Sequence, residues 1–366
     1  MTTGTRTADT VRQYFPGLNT LRGIAVILVV LYHNFNFLPL TQFGFLGVDL
    51  FFVLSGFLIT DILLRTKARP HYFTNFYTRR VLRIFPVYFA SLLFLFFILP
   101  SFLKVNYDLN YYRNNQYWFY LFIQNWLFVI KPLEKSFLLN HFWSIAIEEQ
   151  FYIVWPFVIY SIKKTQTLLR LLCILFLSLF VFRWWILFEH MQDQRIFSFL
   201  RFDGLLAGSA IALIKWHKLQ MPRHLNAILI VLLAALNAGF LAIIMVFKKN
   251  LPYFPCCGFT TFTILFGMAT HYAVYLKKLP AMLPLTEKVL HFFGKISYGL
   301  YIYHWPIFVL LSPVFRQFFE QQFHLAYLTA YYCSPVLATA LAIALSAVSY
   351  RYYETIFLRL KNRFSL

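Results

Sequence analysis

RGIAVILVVLYHNFNFLPLTQFGFLGVDLFFVLSGFLITD, residues 22 to 61, consists of two apolar runs, each carrying ionisable groups where lipid excludes them. Arg22 and His33 are eleven residues apart, so on an α-helix they lie about 20° apart in azimuth and about 16.5 Å apart along the axis. They share a face at two depths. The second run, 44 to 64, holds Asp49, Ser55 and Asp61 in an otherwise apolar sequence. Ionisable residues inside a span are costly and mark functional positions by default.

The rest of the chain has the composition this reading needs. Of 366 residues, 60% are hydrophobic, 21% aromatic and 13% charged, and the mean hydropathy is +0.64, which leaves too few polar side chains to cover a soluble globule. A formal net charge of +20 would suit nucleic acid if the basic residues formed one stripe. They sit instead between apolar runs, as topology signals do, so nucleic acid is not an expected partner. Cys173, Cys256, Cys257 and Cys333 lie in or beside apolar runs, without the spacing of a zinc site or a disulfide framework, and no metal is expected. The N-terminus is polar, so no cleavable signal is expected ahead of the first span.

Periodicity and length predict an all-α polytopic membrane bundle of about ten spanning helices. They fall at about 20–38, 45–64, 82–100, 146–162, 168–188, 197–215, 225–247, 259–276, 292–312 and 326–349. The apolar stretch 118–130 is short for a span and is expected to be re-entrant or interfacial. Placing both termini in the cytoplasm puts most of the 33 Lys and Arg residues on the inner side. Residues 1–19 then form a cytoplasmic tail, 20–350 the membrane domain and 351–366 a basic cytoplasmic tail. Arg22, Arg79, Arg80 and Arg83 fall at cytoplasmic helix ends. His33 and Asp49 lie at a similar depth in the outer half, Glu148 and Glu149 begin the fourth helix from outside, and Arg201 and Asp203 begin the sixth. An acid/base cluster is expected to face outward and a cationic cluster inward.

Several blocks resemble the acyltransferase family 3 of integral-membrane O-acyltransferases, from about Leu18 to Tyr353. Arg22 to His33 fits its Arg-x10-His pattern, and GVDLFFVLSGFLIT at 47–60 its second-helix block. FYTRRVLRIFPVY at 76–88 is similar to its Arg-x-x-Arg block, with Arg80 and Arg83 in the paired places. HFWSIAIEEQFYIVWP at 141–156, RFDGLLAG at 201–208 and ISYGLYIYHWP at 296–306 resemble later blocks. The resemblance implies transfer of an acyl group, usually acetyl from cytosolic acetyl-CoA, to a hydroxyl on a glycan or other acceptor, commonly outside the membrane. Some members carry a fused extracytoplasmic hydrolase-like domain. None is expected here, so whatever it adds is supplied elsewhere or not needed.

The residues themselves support such chemistry. A sugar hydroxyl is a poor nucleophile; a positioned imidazole removes its proton as it attacks a thioester, and a carboxylate fixes the imidazole tautomer. His33 with Asp49 is expected to fill both roles, the alternative being a lone His bonded to nearby backbone. Glu148 and Glu149 are further catalytic candidates, or a pair favoured by the helix dipole. Arg22, Arg80 and Arg83 are expected to bind the CoA phosphates, since guanidinium groups grip phosphate in bidentate fashion; the alternative is a topology anchor.

Ser55 is a substrate-binding candidate, a nucleophile or a small residue for close helix packing. Arg201 and Asp203 are read either as an ion pair with each other or as functional groups, Asp203 contacting substrate. Ser297, Tyr301 and His304 recur at i, i+4 and i+7, which puts Tyr301 and His304 on one polar face toward the bundle. The expectation is a bacterial inner-membrane O-acetyltransferase of cell-envelope glycans, such as O-antigen of lipopolysaccharide or exopolysaccharide, or of a non-glycan acceptor such as a macrolide. Acetyl-CoA, a glycan or lipid-linked sugar, and membrane lipid are its expected partners. A proton-coupled transporter is the competing class, but inverted repeats with broken helices are not found. Direct transfer, an acyl-enzyme and any oligomeric state are all compatible with the sequence.

Overall fold

A computed structural model describes residues 15–102, 109–131, 138–188, 198–247, 253–276 and 284–364. Among them there is no strand. The long helices are α1 Pro16–Asn34, α2 Leu46–Thr66, α3 Tyr72–Leu93, α4 Trp143–Ser161, α5 Thr165–Phe188, α6 Ser198–Trp216, α7 Arg223–Phe247, α8 Phe259–Val274, α9 Pro284–Gln322 and α10 Tyr327–Ser349. The protein is an all-α membrane bundle, and each expected span lies on a helix. Seven helices among the described residues are long and apolar enough to cross a membrane, fewer than the ten expected. The other three are α4, with Glu148 and Glu149, α6, with Arg201, Asp203 and Lys215, and α8, with only 16 residues.

α1 begins earlier than expected. Pro16 occupies its first turn, where a missing N–H costs nothing, and Gly17 and Leu18 are already buried. The expected 1–19 tail therefore ends before Pro16, and residues 1–14 lie outside the described residues. At the other end α10 continues through a π-turn, Tyr350–Glu354, into a helix to Leu360. Arg79 Nη1 donates to the carbonyls of Lys361 (3.2 Å) and Phe364 (2.6 Å), so what the sequence gives as a tail is docked on α3.

Stretch 118–130 does not cross as one helix. Helices Gln116–Tyr120 and Gln124–Ile130 are separated at Phe122, whose φ of 55° is left-handed. Gln124 is buried and donates to the Phe142 carbonyl (2.8 Å), while Gln150 of α4 donates to Asn125 (2.8 Å). Polar side chains thus tie a broken apolar segment to α4.

α2 sits at the centre, and its two faces do different work. Val53, Gly56, Phe57 and Thr60 face α6: a Cβ on Gly56 would collide with the Leu205 carbonyl and one on Gly208 with the Val53 carbonyl, and Thr60 donates to Ser209 (2.8 Å). Small residues let these backbones approach, as membrane helices require. The face carrying Val48, Phe52, Ser55 and Ile59 borders a cavity.

Candidate functional site

That cavity, about 770 Å³ of open space, lies between α1, α2, α3, α4 and α9. Arg22, Arg80 and Arg83 line it together with Ser55, Ser144, Glu148, Tyr152 and Tyr301. Arg80 and Arg83 are three apart on α3 and so share a face, which α1 meets at its Arg22 end. None of the three arginines is in a salt bridge among the described residues, although Arg65, Arg183, Arg201 and Lys215 all are. The Arg80 guanidinium lies over Phe76 (5.7 Å) and Tyr152 (5.6 Å), and its Nε is buried without a hydrogen-bond partner. Three cations and one carboxylate, Glu148, thus line one cavity, an excess of positive charge with the forked donors that suit phosphate oxygens.

Glu148 supplies the cavity's carboxylate. Ser55 Oγ donates to its Oε1 (2.7 Å) and Tyr152 OH to its Oε2 (3.2 Å). Ser55 is therefore a lining residue held by Glu148, and close packing falls to its neighbour Gly56. Glu149, one position on, turns away by about 100°; it is buried, with Oε1 unpartnered, and does not line the cavity.

Beyond Tyr301 the cavity wall leads to three imidazoles. Tyr301 OH donates to the His141 carbonyl (2.6 Å) and meets Ser144 Oγ at 2.6 Å. The His304 ring lies 5.3 Å from that of His141 and 5.0 Å from that of His33. His304 Nδ1 faces two carbonyls, Leu300 (3.0 Å) and Tyr301 (2.9 Å), so it carries the proton, and Nε2 is an acceptor. His304 Nε2 lies 3.1 Å from His33 Nδ1, which also faces the Val29 carbonyl at 3.0 Å. Two acceptors around His33 Nδ1 require a proton there. His33 Nε2 is then the basic nitrogen, as a general base requires. Among the described residues no trio of His, Cys, Asp or Glu side chains is arranged to hold a metal ion.

The expected partnership of His33 with Asp49 is overturned. Asp49 forms an ion pair with Arg201, both almost fully buried, beneath the rings of Phe259, Trp143 and Phe52. Depth is only one coordinate. Six residues separate Asp49 from Ser55, roughly 240° of helical turn, so when Ser55 faces the cavity, Asp49 faces α6. The backbone hydrogen bond from His33, the blander expectation, is present, and the side chain that meets His33 Nδ1 is His304 rather than Asp49.

Arg201 and Asp203 are not a pair either. Residues two apart point to different sides of a helix: Arg201 turns to Asp49, while Asp203 pairs with Arg183 of α5 (2.6 Å) and lines no described cavity. Asp61 is bound by Arg65 (2.6 Å) and Lys215 (2.7 Å). His141, Ser144, Tyr152 and Arg183 carried no expected role. His141 and Ser144 stand in the block at 141–156 beside the glutamates, and that block was the available signal; Arg183 had none.

A family model described as an acyltransferase domain, acyltransferase family 3, matches residues 15–350. The chain belongs to this family. It is 30% identical over 341 residues to the peptidoglycan O-acetyltransferase OatA of Listeria monocytogenes, covering 84% of this chain and 52% of the relative. It is 33% identical over 327 residues to the putative peptidoglycan O-acetyltransferase YrhL of Bacillus subtilis, covering 82% and 50%. The O-acetyltransferase OatA of Staphylococcus aureus is 29% identical over 368 residues, with 94% and 57% covered. The chain spans about half the length of the curated relatives it matches. No solved structure matches it.

Proposed function

We propose that this protein is a membrane O-acetyltransferase that moves an acetyl group from cytosolic acetyl-CoA to a hydroxyl of a cell-envelope glycan. The observation that carries this reading is the division of labour along α1: an arginine-lined cavity without salt-bridge partners begins at Arg22, and its far wall leads to the imidazoles at His33. Arg22, Arg80 and Arg83 hold the CoA phosphates from the cytoplasmic side of a bacterial inner membrane. The pantetheine arm runs past Ser55 and Glu148, and the thioester reaches the Tyr301 end. His33 Nε2 takes the proton of the acceptor hydroxyl as its oxygen attacks the thioester carbonyl. The new C–O bond forms, the C–S bond breaks, and the proton passes from His33 to the departing thiolate. His304 fixes the His33 tautomer, and Glu148 orders the wall opposite the arginines.

The relatives' names make peptidoglycan the first acceptor to test, with other envelope glycans second. Orientation with both termini inside rests on the basic residues near the Arg22 end, Arg65, Lys67, Arg69 and Arg79 among them. The test is purified protein in liposomes, given labelled acetyl-CoA and peptidoglycan fragments. Label should appear as alkali-labile acetate on the glycan with wild-type protein and not with His33→Ala. Wild-type protein that does not bind acetyl-CoA refutes the reading.

A further inference from the structure

A second cavity, of about 830 Å³, opens on the other side of the imidazoles, between the end of α1, the second half of α9 and the first turns of α10. No residue lining it lines the arginine cavity. Trp305 joins it to the site: its ring lies 5.0 Å from the His33 ring and stacks at 5.4 Å on Phe308, and both rings line the cavity. Polar groups stand around them. Ser312 and Ser334 meet at 3.1 Å, and among the described residues of the lining Arg316 is the one that is charged.

Asn34, next in sequence to His33, decides what the cavity takes. Its side chain is 1% exposed; Nδ2 donates to Thr339 (2.8 Å), and Oδ1 has no partner. Turning the amide over only moves the vacancy to the other atom. A buried polar atom without a protein partner is rare, and in a cavity lining it is where a bound donor would be held. A lipid tail offers it nothing, whereas a ring with several hydroxyls has a donor for Asn34 and apolar C–H faces for Trp305 and Phe308.

We infer that this cavity is the acceptor site and receives one sugar ring of a glycan. The ring packs its C–H face against Trp305 and Phe308 and donates a hydroxyl hydrogen bond to Asn34 Oδ1. Another of its hydroxyls points at His33, and Arg316 at the rim favours a neutral or anionic glycan over a cationic one. The inference rests on the proposed acetyl transfer and adds the acceptor-binding residues to it.

The test fills the cavity and separately removes its orphan acceptor. Ser312→Trp, Asn34→Ala and Trp305→Leu are expressed in the host, and acetate released by mild alkali from the envelope is measured per mole of protein. Acetyl-CoA affinity is measured on the same purified variants. Ser312→Trp should lower transfer by about tenfold or more, and Asn34→Ala and Trp305→Leu by roughly three- to tenfold, the scale of a lost hydrogen bond or packing contact. Acetyl-CoA affinity should stay within about twofold, because donor and acceptor contacts share no lining residue. Undiminished transfer by folded Ser312→Trp refutes the acceptor site alone, and does so equally if that variant has lost a co-purifying lipid. If Ser312→Trp does not accumulate, undiminished transfer by both Asn34→Ala and Trp305→Leu refutes it. Wild-type protein that does not bind acetyl-CoA refutes the proposed function instead.

Discussion

Replacing Asp49 with Asn keeps the size of the side chain and one acceptor but removes the negative half of a buried ion pair. Asp49 is 1% exposed and Arg201 2%. Stranding one charge of such a pair costs about 3–5 kcal/mol. The guanidinium retains the faces of Phe259 at 4.3 Å, Trp143 at 5.7 Å and Phe52 at 5.9 Å, and cation–π attraction at a desolvated site offsets about 1–2 kcal/mol of that loss. The expected net loss is roughly 1–4 kcal/mol of stability. Removing both charges, Asp49→Leu with Arg201→Met, strands nothing and should cost less than the single change, a coupling of about 2 kcal/mol. Thermal unfolding in detergent, followed by size exclusion, measures stability, and acetyl transfer per mole of folded protein measures function. Asp49→Asn should be less stable, with specific activity within about threefold of wild type. Wild-type stability with transfer reduced about a hundredfold would refute this argument and make Asp49 the partner of His33 after all.

His33→Ala should lower acetyl transfer by about a hundredfold or more, the usual worth of a general base, with acetyl-CoA affinity unchanged by isothermal titration; wild-type specific activity would remove His33 from the mechanism. Arg80→Ala should weaken acetyl-CoA binding by roughly tenfold or more, with Lys restoring part of it, because a point charge replaces a forked donor; unchanged affinity would return Arg80 to a topology anchor. Ser55→Ala should reduce transfer by less than about tenfold, since Tyr152 still holds Glu148 and one hydrogen bond is worth about 1 kcal/mol; complete loss with intact donor binding would instead identify an acyl-serine intermediate. Gly208→Ala should unfold the protein at lower temperature by driving a Cβ into the Val53 carbonyl, whereas Gly239→Ala, with nothing within 4 Å of the added carbon, should be neutral or stabilising by about 0.5–1 kcal/mol; equal melting temperatures would refute the close α2–α6 packing.

The spans and the arginine cavity were legible in the sequence because both are written in short-range pattern. Apolar runs set the helices, and Arg80 with Arg83 share a face whatever the neighbours do. Charge pairing was not legible, since it depends on the azimuths of several helices at once. His33 and Asp49 matched in depth, yet the turn from Ser55 to Asp49 aims them at different partners. Arg201 and Asp203 looked paired by proximity in sequence and are separated by helical geometry. His304 was singled out by its spacing from Tyr301, but that spacing could not reveal that its other nitrogen meets His33. Arg183 sits in an apolar run with no motif, and only the packing of α5 on α6 explains it.

What sorts these charges is whether the fold has already neutralised them. Asp49 with Arg201, Asp203 with Arg183, and Asp61 with Arg65 and Lys215 are complete as they stand, and a ligand would have to break them to use them. Arg22, Arg80 and Arg83 have been brought to one cavity without a salt bridge among the described residues. All three are half-buried, and an incoming anion would offset the cost of holding like charges together there. The same reasoning applies on the far side of the bundle to Asn34, whose orphan oxygen is a smaller debt of the same kind. Donor and acceptor would then each complete the polar pairing of one cavity, with His33 between them, so that the imidazole meets both substrates only when both cavities are filled.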